Sequence, residues 1–228
     1  TSRYVGSHPM AGRERSGAGA ADADLFYGRP WVIVPSPTSS PDAVMRIRSL
    51  AGDVGAFPIE MDASTHDQSV ALISHVPQLV SSMLAARLAD APVSALSLSG
   101  QGLRDTTRIA ASDPRLWTAI LAGNAGPVVK VLKDIRGDLD DLISHLDAAA
   151  QEGALEGGSV GAVYRVMDQG NRGVARIPGK HGGAPTRYVV LDVFVPDTAG
   201  SLGLLFADLG EIGVNIEDFA LEHSAGAQ

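Results

Sequence analysis

The chain has 228 residues, 45% apolar and 19% charged, with no cysteine and a formal charge of −8. Its length allows two or three small domains, its acidic balance argues against a nucleic-acid or anionic-membrane surface, and the missing thiols exclude disulfides and thiolate metal sites, as fits a reducing compartment. No apolar run approaches the roughly 18 residues of a membrane span, and no signal-peptide pattern precedes Arg3, so the expected location is the cytoplasm.

Residues 1–61 alternate in the manner of an α/β layer. Arg3-Tyr4-Val5, Trp31-Val32-Ile33-Val34 and Phe57-Pro58-Ile59-Glu60-Met61 read as strands. Between the last two, a helix starts at Ser40-Pro41 and carries Val44, Ile47, Arg48 and Leu50 at near-helical spacing. The pattern is that of half a doubly wound sheet, the C-terminal part of a Rossmann-like domain. A complete dinucleotide-binding domain needs a Gly-rich turn between its first strand and helix. Gly17-Ala18-Gly19 and Gly100-Gln101-Gly102 lack that setting and read as loop and turn residues.

From Asp62 to Ala150 the pattern becomes helical. Val70, Ile73, Val76, Val80, Leu84 and Leu88 form one apolar stripe, predicting a helix of about eight turns, and Pro77 predicts a kink in it. His66 and His75 lie nine residues apart, roughly opposite each other on a straight helix, so they are not expected to share a metal ion. Further on, Arg104 and Arg108 sit one turn apart, where two like charges repel and a small acidic ligand would relieve them. Ser112-Asp113-Pro114 caps a new helix with Leu116 and Trp117 in its first turn. A wide apolar face from Gly126 to Ala149, including Val128, Val131, Leu132, Ile135, Leu139, Ile143 and Leu146, predicts a bundle or dimer core.

Gly153 to Gly161 is a break, followed by a weaker helical stretch around Val163 to Met167, and Pro178 to Gly183 reads as a domain boundary. Then Tyr188 to Val195 predicts a strand, Pro196 to Gly200 a turn, Leu202, Leu205, Phe206 and Leu209 a helix, and Val214-Asn215-Ile216 a second strand. This βαβ unit is cut short at Gln228. The expected organisation is the C-terminal part of a Rossmann-like domain at 1–61, a helical domain with a bundle or dimer core at 62–178, and a partial βαβ domain at 179–228.

Three linked motifs resemble the prephenate dehydrogenases in the form that carries a C-terminal ACT domain. They are Gly6-Ser7-His8-Pro9-Met10-Ala11-Gly12 with Glu14 and Ser16-Gly17; His66-Asp67 followed by Ile73-Ser74-His75-Val76-Pro77; and Gly102-Leu103-Arg104-Asp105-Thr106-Thr107-Arg108-Ile109-Ala110 through Trp117. The resemblance covers essentially the whole chain and implies oxidative decarboxylation of prephenate to 4-hydroxyphenylpyruvate, with hydride transfer to NAD or NADP, in a homodimer. It implies that His8, placed just after the first strand, is the catalytic histidine that polarises the substrate's ring hydroxyl. It assigns Arg108 to the substrate carboxylate, which suits a planar guanidinium fork, and His75, Glu14, Trp117 and, more weakly, Arg104 to the same pocket. His66 is expected to pack near the start of its helix.

Two positions depart from the family pattern. Gln78 stands where many members carry a second histidine, so it can hydrogen-bond there but not titrate. Gln101 stands where glycine is common, which limits how closely backbone and ligand approach. In the C-terminal segment the resemblance implies the first half of an ACT domain, a ferredoxin-like module, with Asp197, Gly200, Leu202 and Asn215 lining a site for a tyrosine or phenylalanine effector. The competing readings are arogenate as substrate, and a non-catalytic dimerisation and amino-acid-sensing fragment. The missing phosphate-binding turn leaves the cofactor-binding residues unassigned and predicts that this stretch alone, truncated at both ends, binds no NAD.

Overall fold

The computed structural model describes residues 2–12, 17, 21–152, 158–178, 191, 193–196, 198–214, 216 and 219. Glu14, Asp197 and Asn215 lie outside the described residues, as do 188–190 of the predicted C-terminal strand. The chain divides into two compact units, Thr1–Gly182 and Gly183–Gln228.

The first unit begins with three strands, β1 (Val5–Pro9), β2 (Pro30–Pro35) and β3 (Phe57–Glu60), in the order β1-β2-β3. Helix α1 (Pro41–Asp53) links β2 to its parallel neighbour β3. Ser40 starts that helix by accepting the Ala43 N–H on its hydroxyl at 3.3 Å, and Pro41 supplies the preset first turn. The apolar residues of β2 and α1 then close on each other: Trp31, Ile33, Ala51 and Ala56 are buried, with Val5, Phe26, Val44 and Ile47 packed around them. Gly55 is required where β3 is approached. Its φ is +71°, and a Cβ there would come within 2.6 Å of the Tyr27 ring.

Two expectations need correcting here. Strand β1 pairs antiparallel with β2, so the sheet among the described residues is mixed rather than the parallel sheet of a doubly wound half. The strand also extends through Gly6-Ser7-His8-Pro9, residues of poor intrinsic strand preference, because β2 offers a complete ladder to pair with. His8 therefore sits within β1, opposite Val32, and not beyond its end.

The predicted long helix is present but interrupted. Asp62 caps α2 (Ala63–Val70), a π turn follows at Ala71–His75, and α3 (Val76–Ala86) continues. Pro77 lies in the first turn of α3, and the widened turn before it accommodates the backbone that proline leaves unbonded. The run is 24 residues, about 6.7 turns at 3.6 residues per turn and not eight. It is also apolar enough by length and composition to cross a membrane, contrary to the expectation that no such run exists. It buries His75, Gln78 and Ser81 within the unit, while Leu72, Ile73 and Met83 stay exposed.

Short helices α4 (Val93–Leu96) and α5 (Gln101–Thr107) lead to a 3-10 turn at Arg108–Ala110. Helix α6 (Pro114–Gly123) starts at Asp113, whose carboxylate accepts the Arg115 N–H at 2.9 Å. Helix α7 (Ala125–Glu152) is longer than predicted at both ends, and α8 (Gly158–Val174) far exceeds the weak stretch expected there. The bundle core is Ala71, Val76 and Val128, surrounded by Leu79, Leu121, Val131 and Leu132. Arg165 reaches Asp141 at 3.1 Å, and Ser159 donates to the His145 carbonyl at 2.9 Å, tying α8 to α7.

In the second unit the predicted helix forms as α9 (Ser201–Glu211), entered through Gly200 at φ +93° with Leu202 half-buried in the first turn. The described residues of the flanking predicted strands, Leu191, Val193–Val195, Val214 and Ile216, form no strand. Apolar β-branched runs become strands only where a neighbouring ladder satisfies their backbone.

Candidate active site

The strongest polar cluster joins β1 to the start of the interrupted helix. His8 Nδ1 lies 2.9 Å from His66 Nε2, with the rings edge-on and their centroids 5.2 Å apart. His66 Nδ1 in turn lies 2.9 Å from Asp67 Oδ1. His8 keeps an edge open to solvent, whereas the His66 side chain is only 18% exposed. Partial burial, then the neighbouring His66 and His75, hold His8 below the usual histidine value. It is therefore a neutral imidazole near pH 7.

His75 closes the cluster from the other end of the π turn. It is buried, and its own pKa is lowered by desolvation and by His66, against a smaller opposing effect of Asp67. Asn124, buried between α6 and α7, donates its amide to the Asp67 carbonyl at 2.8 Å and meets His75 Nδ1 at 3.1 Å. Trp117 packs edge-to-face on His75, with centroids 6.1 Å apart at 84°. The first turn of α6 is thereby drawn to the histidines, as the motif order implies.

The convergence of His66 and His75 differs from the separation read off the sequence. On an unbroken α-helix nine residues place them about 180° apart; a π turn absorbs one residue and leaves roughly 80°. Both then act on His8. The motifs assign no role to Asp67 or Asn124, although Asp67 stands in the His66-Asp67 pair.

The second element of the site is the 3-10 turn that carries Arg108. Gln78 is buried on α3 and donates its amide to the Ile109 carbonyl at 2.8 Å and, more weakly, to Ser82 Oγ at 3.3 Å. Ser112 Oγ donates to the same carbonyl at 2.7 Å. Gln78 thus fastens the backbone next to Arg108. Arg108 and Arg104 are both exposed, and Gln101 spends its amide on Asp105 at 2.8 Å within its own helix. Glu14 is outside the described residues.

A dinucleotide pyrophosphate calls for a Gly-rich strand-to-helix turn. The β2–α1 turn holds instead Ser36, Thr38 and Ser39, whose hydroxyls bond one another. That turn is therefore not the Gly-rich cradle of a pyrophosphate. Among the described residues no group of three His, Asp or Glu side chains is placed to hold a metal ion.

Comparison with known proteins gives a consistent answer. Residues 1–60 match the family model for the prephenate dehydrogenase nucleotide-binding domain, and residues 62–157 that for the prephenate dehydrogenase dimerization domain. A relative from Streptomyces niveus named as a probable prephenate dehydrogenase, NovF, is 37% identical over 92% of this chain and 59% of its own length. Prephenate dehydrogenase of Bacillus subtilis is 26% identical over 96% of this chain and 57% of its own length. The chain thus spans under three fifths of the length of these curated relatives. Among solved structures, prephenate dehydrogenase from A. aeolicus in complex with hydroxyphenyl propionate and NAD+ superposes with a TM-score of 0.61 at 27% identity, over 75% of this chain and 59% of that one. Synechocystis arogenate dehydrogenase gives a TM-score of 0.59 at 31% identity, over 76% and 61%. With both domain models matched in succession across residues 1–157, the chain belongs to the prephenate dehydrogenase family.

Proposed function

We propose that this chain is the substrate-handling part of an NAD-linked prephenate dehydrogenase that forms 4-hydroxyphenylpyruvate in tyrosine biosynthesis, in the cytoplasm. The observation that carries the reading is His8: a neutral imidazole exposed on β1 and hydrogen-bonded to His66. When bound, the nicotinamide cofactor supplies the acceptor for the hydride leaving the hydroxyl-bearing ring carbon, NADP being a variant of the same chemistry. His8 takes the hydroxyl proton as the C–H bond breaks. The carboxylate then leaves as carbon dioxide, its electron pair makes the ring aromatic, and the phenolate oxygen recovers the proton from His8. Arg108, on the turn pinned by Gln78, holds a substrate carboxylate through its planar fork, with Arg104 beside it.

The test is direct. His8→Asn in a full-length protein is expected to lower kcat by about 100-fold or more while leaving KM nearly unchanged; near-normal turnover overturns the assignment. Arg108→Lys is expected to raise KM, because an ammonium cannot reproduce a bidentate contact. Running both substrates decides between prephenate and arogenate.

The homodimer belongs to the same proposal. Helix α7 leaves Leu139 50% exposed with Ile135, Ile143 and Leu146 on the same face, and α8 adds Tyr164 and Met167. Such a stripe calls for a partner. Residues 179–228 are proposed as part of an ACT module, with Gly200 and Leu202 at its effector turn; an enzyme insensitive to tyrosine and phenylalanine would leave that segment a structural role only.

A further inference from the structure

We propose that Asp67 and His66 form a proton-orienting relay that sets which nitrogen of His8 is free to accept the substrate proton. Donor and acceptor chemistry along three groups in series fixes the tautomer. A carboxylate only accepts, so the 2.9 Å contact between Asp67 Oδ1 and His66 Nδ1 places the His66 proton on Nδ1. A neutral His66 then has its lone pair on Nε2. The 2.9 Å contact from that atom to His8 Nδ1 needs a donor, and His8 must supply it. His8 therefore carries its proton on Nδ1 and leaves Nε2 as a bare base. The opposite tautomer would point an N–H at the substrate hydroxyl and could take no proton from it.

The relay has a second consequence during turnover. When His8 Nε2 gains the hydroxyl proton, the imidazolium can lean its Nδ1 proton on His66, whose far side is already polarised by the Asp67 carboxylate. His66 touches no reacting atom in this scheme; it and Asp67 are positioning residues. Asp67 is itself held in place, since its carbonyl accepts the Asn124 amide at 2.8 Å, a bond that fixes the backbone carrying its side chain.

The inference rests on the reading of His8 as the base, and its test separates the two. Long-range proton–nitrogen correlation on the 228-residue chain, at a pH above 7.5, reports the His8 tautomer without any turnover. We expect the Nδ1–H form in the wild type, its loss in His66→Phe, and its weakening in Asp67→Asn, where an amide can also donate to His66. In a full-length enzyme we expect His66→Phe to cost about 100-fold or more in kcat, with KM within about threefold. Adding it to His8→Asn should cost nothing further, because the two act as one unit. A wild-type His8 with its proton on Nε2, or a tautomer and kcat unmoved by both variants, overturns the relay. The expected tautomers together with an absence of prephenate and arogenate turnover would retain the relay and overturn the proposed reaction.

Discussion

The Ile109 carbonyl offers the most exacting test of how the Arg108 turn is held. It accepts from Gln78 Nε2 at 2.8 Å and from Ser112 Oγ at 2.7 Å, one donor from another helix and one from its own loop. Removing either leaves the carbonyl one partner, so each of Gln78→Leu and Ser112→Ala should cost about 1 kcal/mol, the net value of a typical protein hydrogen bond. Leucine keeps most of the glutamine's volume, so little cavity cost is added. The double variant strips both donors at once and leaves a half-buried acceptor to find water. It should lose about 1 kcal/mol more than the sum of the singles. Urea unfolding of the four proteins measures this cycle, and a loosened turn should also show as a higher KM for substrate. Strict additivity within about 0.3 kcal/mol would mean that the two donors do not share a load at this carbonyl.

Two other outcomes follow from the same structure. Because His8 and His75 both titrate below the usual 6.5 in the folded chain, the unfolded chain binds more protons between those folded values and 6.5; stability should be fully present above 6.5 and fall as pH drops through that window. A urea midpoint that is flat or rises from pH 7.5 to 5.5 would contradict this. Separately, Leu139→Asp, which places a charge in the exposed apolar stripe of α7, is expected to convert a dimer to a monomer by light scattering; a wild type that is already monomeric at tens of micromolar would remove the dimer proposal.

Much of the architecture was legible because it is written locally. Ser40-Pro41 and Asp113-Pro114 start helices for reasons confined to a few residues, and the apolar stripes of α3 and α7 are declared by spacing alone, although only part of each is buried within the chain. What was not legible depends on distant partners. The residues Gly6 to Pro9 become strand only because β2 completes their ladder, and the runs around α9 do not become strands among the described residues. His66 lies near the start of α2, as its position implies, but periodicity sets it opposite His75 because it assumes one rotation per residue throughout, and the π turn breaks that assumption. The resemblance puts Gln78 at the substrate pocket, where many members carry a histidine, and nothing local in the sequence shows that its buried amide also bonds the Ile109 carbonyl beside Arg108. Asn124 carries no motif, and only the fold brings it to both His75 and Asp67.

The π turn at Ala71–His75 makes residue number, more than residue identity, the constrained quantity in that stretch. Swapping Leu72 or Ile73, both exposed, for another helix former leaves the spacing intact. Deleting one of them would restore a regular hydrogen-bond ladder and improve the helix as a helix, yet turn everything before it by about 100° about the axis and carry His66 away from His8. The segment is a spacer whose length is set by the chemistry at its ends. A shortened, better-formed helix here should yield a more stable bundle and an inert enzyme.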